Sequence, residues 1–342
     1  MLLKKLLIRF RRRVLPRLAL LLAATVIGLI IADCVVRIGH YDRNLLAKMV
    51  CYQNADRGSF VAVDDPYLLF RTKPGSVRYR KDYTVNINEL GFRGPPVSPL
   101  KTPGVFRILV VGGSNVYGLG VGDEQAWPRQ LEAVLQKDYP GTVEVLNGGA
   151  CAYVPVQMAI VAEQALDKCS PDLIIYAVSN GGARCFMHES DPMPYFLREP
   201  RMWDQLFTPL PLRKQVFQIT DESRFLLGLS AMVRLYAMAI TVPTGQNWVA
   251  GPMHEPINVA KTRELAKKAR GKARMCVFLF PGTLSHLNDY SAYYTLGADV
   301  PVMELSADGM PQEYMDIHPP PKVHRWYAEN IAKWLKEQNL LP

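Results

Sequence analysis

The sequence predicts an α/β protein: a three-layer αβα sandwich around a parallel sheet, preceded by one N-terminal transmembrane helix. Three observations carry that expectation. From residue 106 onward, apolar runs of strand length alternate with segments of helical periodicity, the pattern of strands joined by right-handed crossover helices. A charge-free stretch, Leu18 to Ala32, follows directly on a cluster of basic residues. The 342 residues are 49% hydrophobic and 21% charged, a globular composition that excludes a disordered or collagen-like chain.

The charge decides the N-terminal assignment. The formal net charge is +9, yet Lys4, Lys5, Arg9, Arg11, Arg12, Arg13 and Arg17 supply seven of those charges, leaving 33 basic against 31 acidic groups in the remainder. Residues 1–17 therefore read as a basic cytoplasmic head and not as the footprint of a polyanion partner. The chain has no zinc-finger spacing and no basic recognition helix with interleaved aromatics, so no nucleic-acid partner is expected. Residues 18–38 are long enough for a transmembrane anchor, which needs roughly 20 apolar residues. Asp33 and Arg37 lie near its far end, within reach of the interface. Positive charge stays inside, so the expected location is the cytoplasmic membrane, single-pass, with the C-terminal portion periplasmic or extracellular. A cleaved signal peptide has a similar outline, but Ile30-Ile31-Ala32 places a branched residue at the outer position of the small-x-small exit. In Ile31-Ala32-Asp33-Cys34, Asp33 occupies the position where lipoprotein processing requires a small residue, so lipidation is not expected.

Residues 39–104 read as a lead-in of loops and short strands, with alternation at Tyr83 to Asn88, and not as a separate core. Residues 105–342 read as the α/β domain. Phe106 to Val111 is a buried strand entering a glycine turn, Trp127 to Tyr139 a helix closed by Pro140-Gly141, and Val143 to Leu146 a second strand. Pro155 to Cys169 is a helix with proline suited to its first turn, and Leu173 to Val178 a third strand. Residues 186–250 interrupt this rhythm with five prolines from Pro192 to Pro211, then an apolar helical stretch, Phe225 to Ile240. This block reads as an insertion over the sheet edge or against the membrane, and as the candidate surface for a protein partner. The rhythm resumes with a helix at Asn258 to Arg270, strands at Met275 to Phe280 and Val300 to Leu305, and a closing amphipathic helix at Val323 to Gln338.

Six cysteines form no C-x-x-C pair, and neither a metal nor a cofactor is expected. Export would permit a disulfide, for which Cys169 and Cys185 are a conceivable pair, but spacing does not establish one. His40, His188, His254, His286 and His324 show no metal-ligand spacing, and His324 is expected on a helix surface.

In open parallel sheets ligands bind beyond the carboxyl ends of the strands. The residues there are Gly113-Ser114-Asn115, Asn147-Gly148-Gly149 and Ser179-Asn180-Gly181. Ser114 is placed to be a nucleophile near a helix N-terminus. The Gly149 N–H, the Asn180 amide and the Ser114 N–H are candidates for an oxyanion hole. A serine needs a base, and the candidate is His318, with Asp316 two residues earlier as orienter. Read singly, Ser114 is a helix cap, Gly149 and Asn180 are turn residues and His318 is a loop histidine. Their order at successive strand ends is what points to a site.

This ordered set resembles the SGNH hydrolases, or GDSL esterases and lipases. Ser114, Gly149, Asn180 and His318 correspond to the four blocks of that family in order. Phe106 to Gly118, Val143 to Gly149 and Pro171 to Ile175 are similar to its membrane-tethered, polysaccharide-associated bacterial members, and Asn88 to Gly94 is similar to a segment that often precedes the first block there. The resemblance implies a flavodoxin-like parallel sheet and a serine esterase or O-acyltransferase, with O-acetyl groups of a glycan or a lipid-linked substrate as the implied target. The sequence departs from the family at three acid positions: Gly113 precedes the serine, Gly181 follows Asn180, and Met315 stands three residues before the histidine. Asp316 is one position late, which leaves a Ser-His-Asp triad and a Ser-His dyad both open. Cys151-Ala152 also stands where Pro-Gly is common. The rival reading is a non-catalytic scaffold subunit that retains the fold. The Ser114 Oγ to His318 Nε2 distance discriminates, because a base must lie near hydrogen-bond reach of its nucleophile, and a separation beyond about 5 Å counts against catalysis.

Overall fold

The computed structural model describes residues 10–39, 41, 58–63, 65, 68, 70–151, 153, 155–178, 184–186, 195–197, 256–281, 291–311 and 318–342. Helix α1 (Leu15–Ile38) is 24 residues long with no buried residue, and at 1.5 Å per residue it spans about 36 Å, enough to cross a hydrocarbon core. It is long and apolar enough for a membrane span. Within the helix Thr25 Oγ1 donates to Leu21 O and Arg37 pairs with Asp33 one turn back.

The lead-in forms two antiparallel pairs, β1 (Phe60–Ala62) with β2 (Phe70–Thr72) and β3 (Val77–Tyr79) with β4 (Thr84–Asn86). It packs onto the α/β core: Phe60, Phe70, Val85, Ile87 and Phe92 join one apolar cluster with Tyr117 and Tyr153. Tyr153 Oη donates to Phe70 O and Gln157 Nε2 to Leu68 O, which ties the segment around β2 to the α/β core.

The core follows as β5 (Phe106–Gly112), α2 (Ser114–Tyr117), α3 (Trp127–Leu135), β6 (Val143–Asn147), α4 (Pro155–Cys169) and β7 (Leu173–Val178). After a short antiparallel pair, β8 (Arg184–Phe186) with β9 (Tyr195–Leu197), come α5 (Pro256–Ala269), β10 (Arg274–Leu279), β11 (Val302–Glu304) and α6 (Pro321–Glu337). Strands β11-β10-β7-β5-β6 form one parallel sheet in that order. Alternate side chains face opposite layers. Leu109, Val111, Ile174, Tyr176 and Val277 pack with α4 and α5, while Ile108, Val110, Leu173, Ile175 and Phe278 pack with α3 and α6. This is the three-layer αβα sandwich expected, and burial on both faces accounts for the unbroken apolar runs in β5 and β7.

Several boundaries differ from expectation for identifiable reasons. Helix α3 ends at Leu135 and not at Tyr139. Gln136 takes Val143 O and the Gly141 N–H with its side-chain amide, and Pro140 disfavours helix in the residue before it. Strand β11 begins after Pro301, whose carbonyl accepts the Val277 N–H. His324 is not on a helix surface. It shares the inward face of α6 with Tyr327, Ala328, Ile331 and Leu335 and is fully buried. Cys169 is a free, buried thiol, pushed up by desolvation, so the conceived pairing with Cys185 is not made. The expected helix Phe225 to Ile240, and the insertion at 186–250 apart from the last residue of β8 and all of β9, lie outside the described residues.

Candidate active site

The strand order places a topological switch point between β5 and β7. Crossovers leave β5 toward β6 on one side and continue through β7 toward β10 on the other, opening a crevice at their carboxyl ends. Ser114 stands at that crevice. The chain leaves β5 through Gly112 and the extended Gly113, and Ser114 is the first residue of α2. A Cβ at Gly112 would lie 2.2 Å from Val116 Cγ2 and 2.9 Å from Ala177 O, so the turn closes tightly only because no side chain is present. As the first helical residue, Ser114 has an N–H with no intrahelical carbonyl to meet.

His318 arrives from the other end of the chain. It precedes Pro319, Pro320 and Pro321, whose rings restrict the backbone between the histidine and the first turn of α6. His318 Nε2 lies 2.8 Å from Ser114 Oγ, and both residues are half-buried. With Nε2 as the acceptor for the serine proton, the ring's own proton belongs on Nδ1. A nucleophile and a base thus share one hydrogen bond at the place where the fold presents ligands.

Gly149 packs against the same helix. A Cβ there would meet Tyr117 N at 2.4 Å and the Val116 carbonyl carbon at 2.8 Å, so the β6 loop can approach α2 only with glycine at this position. Its N–H donates to Asn147 Oδ1 at 3.0 Å, so as an oxyanion donor it would share or exchange that partner. Asn180 and Asp316 lie outside the described residues.

Three residues for which the sequence suggested no role complete the surroundings. Asn147, buried at the end of β6, donates through Nδ2 to Val116 O at 3.0 Å. Arg93, also buried, directs its guanidinium to Tyr117 O, Gly118 O and Val121 O and pairs with Asp123 at 2.7 Å. His324 lies behind His318. Its Nδ1 accepts the Trp127 N–H at 3.2 Å, and its Nε2 is buried without a partner among the described residues. Burial, reinforced by the Arg93 and His318 charges, pulls the His324 pKa down to about 3, so this imidazole is neutral at neutral pH. Arg93 sits in the segment Asn88 to Gly94 that carries part of the family resemblance, and Asn147 ends a buried strand before a glycine pair. Those were the available signals. Among the described residues no group of three His, Cys, Asp or Glu side chains is placed to hold a metal.

No family model and no curated protein sequence significantly matches the chain. Solved structures do. TesA is 16% identical with a TM-score of 0.41, covering 69% of this chain and 99% of its own. The psychrotrophic esterase EstA from Pseudoalteromonas sp. is 12% identical with a TM-score of 0.39, covering 67% and 98%. A protein from Desulfitobacterium hafniense described as lipolytic and of the G-D-S-L family is 12% identical with a TM-score of 0.37, covering 66% and 98%. The reading of the site rests on this chain's own geometry, in which residues from β5, β6 and the segment before α6 converge at one end of the sheet.

Proposed function

We propose that the protein is a membrane-anchored serine esterase or O-acyltransferase whose α/β domain acts outside the cytoplasm on an acyl ester. The observation that carries this reading is the 2.8 Å contact of His318 Nε2 with Ser114 Oγ at the switch point of the sheet. Ser114 Oγ attacks the acyl carbon while His318 Nε2 takes its proton. The tetrahedral oxyanion that forms is met by the Ser114 N–H and the Asn180 amide, with the Gly149 N–H joining by exchange from Asn147 Oδ1. Collapse breaks the ester bond, His318 returns the proton to the leaving alkoxide, and the acyl-Ser114 intermediate remains. Water or a second alcohol, deprotonated by His318, then attacks that intermediate and releases Ser114. Hydrolysis and transfer share the same acyl-enzyme and differ only in this second nucleophile. Asp316 is the residue proposed to hold the His318 Nδ1 proton.

The residues around α1 support the membrane part of the reading. Six basic residues precede the unburied apolar helix and Arg17 stands in its first turn, a flank that the positive-inside rule orients with residues 1–17 in the cytoplasm. An O-acetylated glycan, or a lipid-linked precursor passing along the membrane surface, is the substrate class that the sequence resemblance implies. The test is turnover of p-nitrophenyl acetate by the detergent-solubilised full chain, with Ser114→Ala as control, together with fluorophosphonate labelling of Ser114. Turnover and labelling that both disappear in Ser114→Ala support the enzyme. Equal inertness of the two proteins, with no label on Ser114, would instead favour a scaffold subunit.

A further inference from the structure

We infer that Arg93 is a positioning residue for the nucleophile, holding α2 from its carboxyl end so that Ser114 at the other end meets His318. This rests on the esterase reading and adds to it a residue contributed by the lead-in. The difficulty it answers is local. Helix α2 has four residues, far fewer than an isolated helix needs to persist, and its last carbonyls have no intrahelical donors. Tertiary contacts must supply them. Asn147 Nδ2 takes Val116 O at 3.0 Å, and Arg93 Nη1 takes Tyr117 O at 2.7 Å and Gly118 O at 2.6 Å. Arg93 Nη2 adds Val121 O at 2.6 Å, which ties the following loop to the same guanidinium. The positive charge also stands at the helix end where it complements the peptide dipoles, and Arg93 Cζ lies 4.8 Å from the Tyr117 ring centroid.

The guanidinium is itself held in place. Nε donates to Asp123 Oδ1 at 2.7 Å, and Asp123 Oδ2 in turn accepts the backbone and side-chain N–H groups of Asn86. The Arg93 backbone N–H donates to Asn147 O at 2.9 Å, so the two side chains that hold α2 are joined through the end of β6. His318 is positioned separately. Its segment leads into α6, which is tied to α3 by the Trp127 N–H on His324 Nδ1. A shift of α2 therefore changes the geometry between Ser114 and His318. A displacement of about 1 Å between reacting groups lowers rates on the order of 100-fold. Lysine keeps the charge but not the planar fork, and its point ammonium does not reproduce bonds to three carbonyls and a carboxylate.

The test uses the full-length protein in detergent with Arg93→Lys, and with Arg107→Lys as a destabilising comparison. Arg107 is equally buried and bonded to Glu144, Pro99 O, Cys169 O and Ser98 O, but it lies near the start of β5, at the opposite end of that strand from Ser114. The readouts are the endpoint and the rate of fluorophosphonate labelling, kcat and KM for p-nitrophenyl acetate, and amide exchange of residues 114–121. For Arg93→Lys the expected result is a full labelling endpoint, a labelling rate and kcat each about 100-fold lower, KM within about threefold, and exchange at 114–121 at least about tenfold faster. For Arg107→Lys the expected result is a lower melting temperature with the rate per labelled site unchanged. If Arg93→Lys lowers the endpoint but leaves the rate per labelled site at the wild-type value, Arg93 is merely structural and the inference is overturned. Unchanged labelling and unchanged exchange overturn it as well. A wild type that is never labelled sinks the esterase reading itself and with it any role of Arg93 in catalysis, whatever the exchange shows.

Discussion

His318 Nε2 and Ser114 Oγ meet at 2.8 Å although 204 residues separate them in the chain. The serine is carried by the turn after β5, and the histidine by the proline-stiffened segment before α6. Substituting either one removes the shared proton transfer. Ser114→Ala and His318→Ala are expected to lower esterase turnover by at least about 1,000-fold each, and the double variant by little more than either alone, because the two act as one unit. Steady-state p-nitrophenyl acetate kinetics on the three variants check this; a double variant whose losses multiply would mean the residues act independently.

Gly149→Ala is expected to disable the site by a backbone route. Its Cβ would lie 2.4 Å from Tyr117 N and 2.8 Å from the Val116 carbonyl carbon, so either α2 or the β6 loop must move. Overpacking of this kind typically costs about 1–3 kcal/mol. The midpoint of urea unfolding should drop correspondingly, and turnover should fall further than the loss of folded protein explains. A variant with wild-type stability and rate would show that the contact yields easily.

Acidification should weaken the domain through His324. Its folded pKa of about 3 lies below the ordinary value of 6.5, so the unfolded chain binds the proton more readily between those limits. Stability from this group is complete above pH 6.5 and is lost as pH falls toward 3. At pH 4.5 the loss amounts to about 2–3 kcal/mol, from 1.36 kcal/mol per pH unit. His324→Asn keeps an acceptor for the Trp127 N–H without a titrating ring. The difference in unfolding free energy between pH 7.5 and pH 4.5 should be smaller in that variant than in wild type, and an equal difference would assign the acid sensitivity to other groups.

Anchoring predicts that the full chain stays in the membrane pellet after alkaline carbonate extraction, whereas a variant with Leu20, Leu21, Leu22, Ile30 and Ile31 replaced by Ser is released or degraded. Alkaline phosphatase fused after the C-terminus should be active if that end is exported. An inactive fusion, with activity instead for a fusion at the N-terminus, would reverse the orientation.

Much of the architecture is legible in the sequence because burial on two faces leaves a simple trace. The β7 run Leu173 to Val178 and the helix Pro155 to Cys169 have the same limits in the sequence reading and in the structure. Helix α3 reads as longer than it is because its apolar spacing continues past the point where Gln136 and Pro140 end it. His324 reads as a surface residue because histidine is polar, while the 3.6-residue period that sets Tyr327, Ala328 and Ile331 on one face places it inward. Arg93 and Asn147 had no readable role, since their partners are backbone carbonyls of Val116, Tyr117 and Gly118, which no side-chain pattern announces.

The amino-acid sequence by itself determined the alternation of strands and helices, the apolar helix with its basic flank, and Ser114 and His318 as the residues to watch, because hydrophobic period and local turn chemistry act over a few residues. Only the tertiary structure decided the order β11-β10-β7-β5-β6, the 2.8 Å meeting of Ser114 with His318, and the hold of Arg93 and Asn147 on the four residues of α2. Those depend on which strands lie side by side and where backbone carbonyls end up unpaired, and chain separation carries no record of either.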